Sequence, residues 1–146
     1  MARKDLAGIL IEEKILPFSR KNDIAMIVYS PMERGLLTGA VTMDRKFAPG
    51  DHRATHKFFR PENRKKVLTS LEKIKPIAQS HNVSLAQLII NWTIHEPGIT
   101  AALVGARNAD QAKHNAAAMT FTLTESDRTQ IREAFDQTSH DLMTAK

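Results

Sequence analysis

Two short apolar runs, residues 24–28 (Ile-Ala-Met-Ile-Val) and residues 100–104 (Thr-Ala-Ala-Leu-Val), read as buried strands, and helical sequence fills the interval between them. A strand that returns through helix to a second strand runs parallel to the first, so the chain belongs to the α/β class. That pairing is a severe constraint. A parallel sheet needs cover on both faces and both edges, and two strands cannot close a sheet on themselves.

The remaining pattern is helical. Residues 5–21 read as a helix with Leu6, Ile9, Glu13 and Leu16 along one stripe, in which Pro17 is expected to bend or end the last turn. Asn22-Asp23 makes the turn into the first strand. From Gly39 to Pro61 the composition shifts to Gly, Pro, His, Lys and Arg without a sustained period, the mark of a long excursion loop. A helix from Glu62 sets Val67, Leu71, Ile74 and Ala78 on one face, with a kink expected near Pro76. Another opens at a Ser84-x-x-Gln87 capping box and carries Leu85, Leu88, Ile89 and Trp92. Asn108 with Gln111 gives a further capping-box-like start, and Thr124-x-x-Asp127 opens a last helix with Ile131 and Phe135 one turn apart. With no internal repeat in 146 residues, one domain spanning 1–146 is expected.

Composition narrows the chemistry. Cysteine is absent, so there is no disulfide framework, thiolate nucleophile or Cys-based zinc site. No run is long enough to span a bilayer and no export signal is visible, so a soluble, cytoplasmic protein without a membrane partner is expected. The formal charge of +5 is spread over groups such as Arg20-Lys21, Arg45-Lys46 and Arg64-Lys65-Lys66, which read as solvated faces. With one Trp and one Tyr for base stacking, a nucleic-acid partner is not expected. His52 and His56 have helical ligand spacing but lack the Glu of a zinc-protease motif and lie in the loop, so no metal site is expected.

The second strand breaks at Gly105 and turns into a helix with Arg107, Asn108, Gln111 and Asn115 near its start. A helix N-terminus welcomes an anion, Arg107 adds a guanidinium fork suited to phosphate, and Gln111 and Asn115 present amides one turn apart. This outlines a nucleotide phosphate site, although the same spacing also describes a turn with a solvated charge. The first strand in turn runs into Tyr29-Ser30-Pro31-Met32-Glu33-Arg34-Gly35-Leu36-Leu37-Thr38-Gly39. These two motifs, with the intervening helix Ser84-Leu85-Ala86-Gln87-Leu88-Ile89-Ile90-Asn91-Trp92, make the chain resemble the aldo-keto reductase family from about Asp5 to Asp136, with Met32 in place of the usual Leu.

The resemblance implies a partial (β/α)8 TIM barrel containing only its C-terminal strands, seven and eight, and their helices. Met1 would stand at an internal methionine of the family pattern, after the sixth strand. The implied activity is reduction of an aldehyde or ketone by hydride from NADPH, with a tyrosine as proton donor. The family's catalytic Asp, Tyr, Lys and His lie on the first four strands and have no counterpart here, so no catalytic residue is assigned and the chain alone is expected to be inactive. What remains is the NADP(H) site. Tyr29 would stack on the nicotinamide, while Ser30, Pro31, Met32, Gly35 and Leu36 would bring backbone to the pyrophosphate. Beyond the second strand, Gly105 opens the loop, Arg107 would hold the 2′-phosphate, and Gln111 and Asn115 would reach the adenosine. The chain departs from the family at Ala40, where many relatives carry Lys, and at His114, where many carry Glu. Arg53 offers a replacement cation, though an exposed position without function is the plainer reading. Implied partners are the dinucleotide and either the missing N-terminal barrel part or a second copy joined through the sheet edges. A non-catalytic interaction module or truncated barrel remnant is the alternative.

Overall fold

A computed structural model describes residues 11–144 of the chain. It enters through a π-helical turn, Ile11–Ile15, that leads into α1 (Leu16–Lys21). Residues 5–10 of the expected first helix lie outside the described residues. Pro17 does not end that helix. It sits in the first turn of α1, where a missing N–H costs nothing, and the wide turn ahead of it accommodates the ring.

Strands β1 (Ile27–Tyr29) and β2 (Ala101–Leu103) form a two-stranded parallel sheet in the register Ile27 to Ala101, Val28 to Ala102 and Tyr29 to Leu103. Pairing begins just before the strands, where the Met26 carbonyl accepts from the Thr100 N–H at 2.8 Å and the Met26 N–H donates to Thr100 Oγ1 at 3.0 Å. The strands are shorter than the apolar runs, and Tyr29 belongs to β1 and not to the loop after it. Their expected burial fails as well: Ile27, Tyr29, Ala101 and Leu103 are exposed, while Val28 and Ala102 are half-buried. Helix α3 (Leu85–Ile94) packs on β2 and covers one face; no described element covers the other.

The core therefore lies among the helices. Helix α2 (Pro61–Ser80) runs through Pro76 and packs along α5 (Glu125–Thr144), burying the expected stripe Val67, Leu71, Ile74 and Ala78 against Leu88, Ile131 and Phe135. A buried hydroxyl pair, Ser70 and Thr138 at 2.8 Å, ties the two helices together. Both capping boxes close reciprocally. Ser84 Oγ accepts from the Gln87 N–H while Gln87 Oε1 accepts from the Ser84 N–H, and Thr124 and Asp127 do the same.

The excursion after Gly39 is more ordered than its composition suggests. Two 3₁₀ turns, His52–Ala54 and Lys57–Phe59, fold it back on α2, and Phe47 and Phe59 meet edge to face at 5.4 Å. Arg64 organises it. Far from being a solvated member of a basic run, Arg64 is buried, with Nη1 donating to the carbonyls of Thr42, Met43 and Arg45 and Nη2 to that of Phe59. Its cationic plane also lies over the Phe47 ring at 5.3 Å. No helix among the described residues is long and apolar enough to cross a membrane.

Candidate functional site

Parallel pairing puts the carboxyl ends of both strands at one end of the sheet, with Tyr29 and Leu103 side by side, so the two candidate loops emerge together. This is the end at which α/β barrels and open sheets bind ligands, because loops and helix N-termini converge there. The first loop is a tight turn. The Ser30 carbonyl accepts from the Glu33 N–H at 2.9 Å and the Met32 carbonyl from the Gly35 and Leu37 N–H groups at 3.0 and 3.2 Å. Four residues take left-handed backbone: Ser30 (φ 54°), Glu33 (φ 43°), Arg34 (φ 54°) and Gly35 (φ 89°). Gly35 adopts this conformation without Cβ conflict, whereas the three L-residues are strained. Burial of Leu36 and Leu37 in the helical core holds the turn down, which leaves Leu36 only its backbone to offer a ligand.

The excursion loop braces this turn. Arg34 Nη1 donates to Glu33 Oε1 at 2.5 Å and lies 3.3 Å from His56 Nε2. Burial, followed by the neighbouring Arg34 charge, pushes the His56 imidazole below its ordinary pKa. The sequence reads His56 only as half of a rejected metal-ligand pair and gives Arg34 no role, and no local signal links positions that far apart in the chain. Arg53, in contrast, is committed elsewhere: its guanidinium makes a fork with Asp51, at 2.6 Å for the shortest contact, and lies over Phe47. Those hydrogen bonds hold the Asp51 carboxyl down at about 2. Among the described residues, no group of three His, Cys, Asp or Glu could hold a metal ion.

The second loop is built by amides. Asn108 caps α4 (Ala109–Ala116), its Oδ1 accepting from the Gln111 N–H at 2.9 Å. Gln111 does not return the bond to the Asn108 N–H as a closed capping box would. Its Oε1 accepts instead from the Arg107 N–H at 3.0 Å, and Asn115 Nδ2 donates to the Gly105 carbonyl at 3.2 Å. Both amides thus pin residues 105–107 to the helix. Gly105 is not in left-handed backbone, and a Cβ there would meet nothing within 4 Å, so bare backbone faces open space. The Arg107 side chain is exposed and makes no hydrogen bond or ion pair among the described residues. Asp110 puts a carboxylate in the first turn of α4, so the anion-attracting group at this end is the free guanidinium more than the helix terminus.

Comparison with known proteins fits this geometry. The model of the Aldo/keto reductase family matches residues 8–136, a span that takes in both loops. The chain is 36% identical over 132 residues to the NADH-specific methylglyoxal reductase of Escherichia coli (strain K12), covering 90% of this chain and 40% of that protein. It is 30% identical over 122 residues to the NADP(+) aldo-keto reductase yakc of Schizosaccharomyces pombe, covering 84% of this chain and 36% of that one. Among solved structures, the glycerol dehydrogenase AKR11B4 from Gluconobacter oxydans aligns with a TM-score of 0.80 at 25% identity, over 90% of this chain and 40% of its own. The chain spans about 40% of the length of such relatives, their C-terminal part. With its parallel strand pair, its two loops at one sheet end and a family match across both, the chain belongs to the aldo-keto reductase family, with two strands of its α/β barrel among the described residues.

Proposed function

We propose that this chain supplies the dinucleotide-binding end of an aldo-keto reductase that reduces an aldehyde or ketone, and that its dinucleotide is NADP(H). The family uses nicotinamide dinucleotides, but the names of the two relatives above divide between NADH and NADP(+), so membership alone does not choose. The observation that carries the choice is the unpaired guanidinium of Arg107 beside the open backbone at Gly105. A dianionic 2′-phosphate is the group that NADPH has and NADH lacks, and a planar cation suits it.

In this reading Tyr29 offers its exposed ring to the nicotinamide. Ser30, Pro31, Met32, Gly35 and the Leu36 backbone approach the pyrophosphate. Gln111 and Asn115 shape the Arg107 loop through one amide atom each, leaving the Gln111 Nε2 and Asn115 Oδ1 for the adenosine. A bound nicotinamide provides the hydride; the residues here bind and orient it. The reading treats residues 1–146 as one unit, working in the cytoplasm. Its open sheet also favours association with another polypeptide, either the preceding part of the barrel or a second copy.

Two results are expected. Arg107→Ala should weaken NADPH binding by about 10- to 150-fold, the equivalent of about 1.5–3 kcal/mol for a hydrogen bond to a charged group, with NADH little changed. Fluorescence titration of both dinucleotides against wild type and variant measures it. Equal weakening moves Arg107 to the pyrophosphate, and no change in either leaves it a solvated turn charge. The purified chain alone should also give no NADPH-dependent reduction of methylglyoxal, because its single tyrosine, Tyr29, is assigned to stacking and not to proton donation. Turnover abolished by Tyr29→Phe would reassign that residue; turnover surviving it would require another acid.

A further inference from the structure

Helix α4 carries Gln111 and Asn115, the two amides that pin residues 105–107, yet none of its own residues is buried. With so little burial to fix its place, the polar ties that reach it decide where it sits. One comes from the first turn of α3, where Gln87 Nε2 donates to the His114 carbonyl at 3.0 Å. That carbonyl is among the last four of α4, the groups a helix leaves short of donors. The same side chain closes the Ser84 capping box, its Oε1 accepting from the Ser84 N–H at 3.0 Å and from Ser84 Oγ at 3.1 Å. Leu85, in the same turn of α3, lies against the end of the first loop: a Cβ on Gly39 would stand 3.0 Å from Leu85 Cδ1. The first turn of α3 therefore touches both loops of the site. We propose that Gln87 is a positioning residue whose amide sets α4 against this turn and so holds the Arg107 loop in place. The consequence for dinucleotide binding rests on the reading given above.

The choice of an amide here supports that role. A capping box closes with Glu as well as with Gln, and beside a helix N-terminus the carboxylate gains from the dipole. Capping alone thus favours Glu. Gln lacks that charge but has the N–H donor that a carboxylate does not, and the structure aims it at the His114 carbonyl. From there the path is short. His114 lies three residues past Gln111 and next to Asn115, so a shift of α4 at His114 moves both amides. Through their bonds to the Arg107 N–H and the Gly105 carbonyl, the loop bearing the free guanidinium moves with them.

Gln87→Glu tests the bridge without opening the box, since the carboxylate still accepts from Ser84 but meets the His114 carbonyl with a second acceptor. In the full chain without dinucleotide, the backbone amide resonance of Arg107 should shift, because that N–H is bonded to Gln111 Oε1. Its hydrogen exchange should quicken by about 2- to 12-fold, the worth of one neutral hydrogen bond. Acidification through the ordinary glutamate range, about pH 4.3, should return the resonance toward that of wild type at the same pH, since a protonated carboxyl again donates to His114 while its other oxygen accepts. A residue that merely stabilises α3 would not give this reversal. Ser84→Ala opens the box and leaves the bridge, so it should lower the urea midpoint with the Arg107 resonance in place. With dinucleotide present, Gln87→Glu should weaken NADPH by about 2- to 12-fold and NADH less. An unmoved Arg107 resonance in Gln87→Glu, a shift that acidification does not reverse, or the same shift in Ser84→Ala would each overturn the proposal. So would NADPH binding that falls with Arg107→Ala but not with Gln87→Glu. If Arg107→Ala leaves NADPH untouched, the dinucleotide reading fails, while the amide resonance still decides whether Gln87 places the loop.

Discussion

Arg64→Ala should lower the stability of the chain by about 3 kcal/mol and release the excursion loop. Arg64 is buried, and its two terminal nitrogens donate to four carbonyls: Thr42 at 3.2 Å, Met43 at 3.1 Å, Arg45 at 3.0 Å and Phe59 at 2.8 Å. Hydrogen bonds to a charged donor are worth about 1.5–3 kcal/mol each, but they do not add here, because burying the cation is itself costly and the loop carbonyls regain water when it leaves. Arg64→Lys should recover less than half of the loss. An ammonium is a point donor, and it cannot span the Thr42 to Arg45 carbonyls and the Phe59 carbonyl with one fork. Urea denaturation measures the stability change, and the rate of tryptic cleavage after Arg45 and Lys46 measures the loop. A loss under about 1 kcal/mol with unchanged cleavage would mean that Phe47 and Phe59 hold the loop without the arginine. The effect should reach the candidate site as well, because the same loop carries His56, which braces Arg34 beneath the Tyr29 turn.

That arginine shows where the sequence ceases to be legible. Periodicity identifies α2, α3 and α5, and the Ser84/Gln87 and Thr124/Asp127 boxes mark two helix starts, because those signals are local and the structure satisfies them locally. Arg64 in a run with Lys65 and Lys66 looks like solvated charge. Its position one turn ahead of Val67 on the stripe Val67, Leu71 and Ile74 is the signal that it faces inward. The 3₁₀ turns at His52–Ala54 and Lys57–Phe59 depend on that long-range anchor, so composition alone reads them as open loop. Strand burial is misread for a different reason. Apolar runs report what a strand is suited to, whereas burial depends on neighbouring strands, and among the described residues this sheet has two. At the site, the residue types and their order are visible in the sequence, but the use of the Gln111 and Asn115 amides to pin residues 105–107 follows from how the loop folds back on α4.

Asn91 lies on the apolar face of α3, one turn beyond Leu88, and should prove as sensitive as any core leucine. It is fully buried, with Nδ2 donating to the Ala118 carbonyl at 2.8 Å and the Phe121 carbonyl at 2.7 Å, while Oδ1 has no partner among the described residues. Those carbonyls belong to the segment joining α4 to α5, so one amide fastens the far end of the helix that carries Gln111 and Asn115. Asn91→Ala should cost about 3 kcal/mol, because two carbonyls lose a donor that is itself fully buried. Asn91→Asp should cost more at neutral pH, about 4 kcal/mol or above, although it conserves shape. A carboxylate there would face two carbonyl oxygens without a donor, so the folded state must keep it protonated and its pKa rises above the ordinary value of about 3.9. The native state of the variant then binds more protons than the unfolded state, and its stability falls as pH climbs above about 4. Urea midpoints of wild type and both variants at pH 7 and pH 4 test this. The Asp variant should regain stability relative to wild type on acidification, but not fully, since a neutral carboxyl donates to only one of the two carbonyls. The Ala variant should keep the same deficit at both pH values. A pH-independent deficit in the Asp variant would mean that the segment around Ala118 opens to water and that the amide is not its fastening.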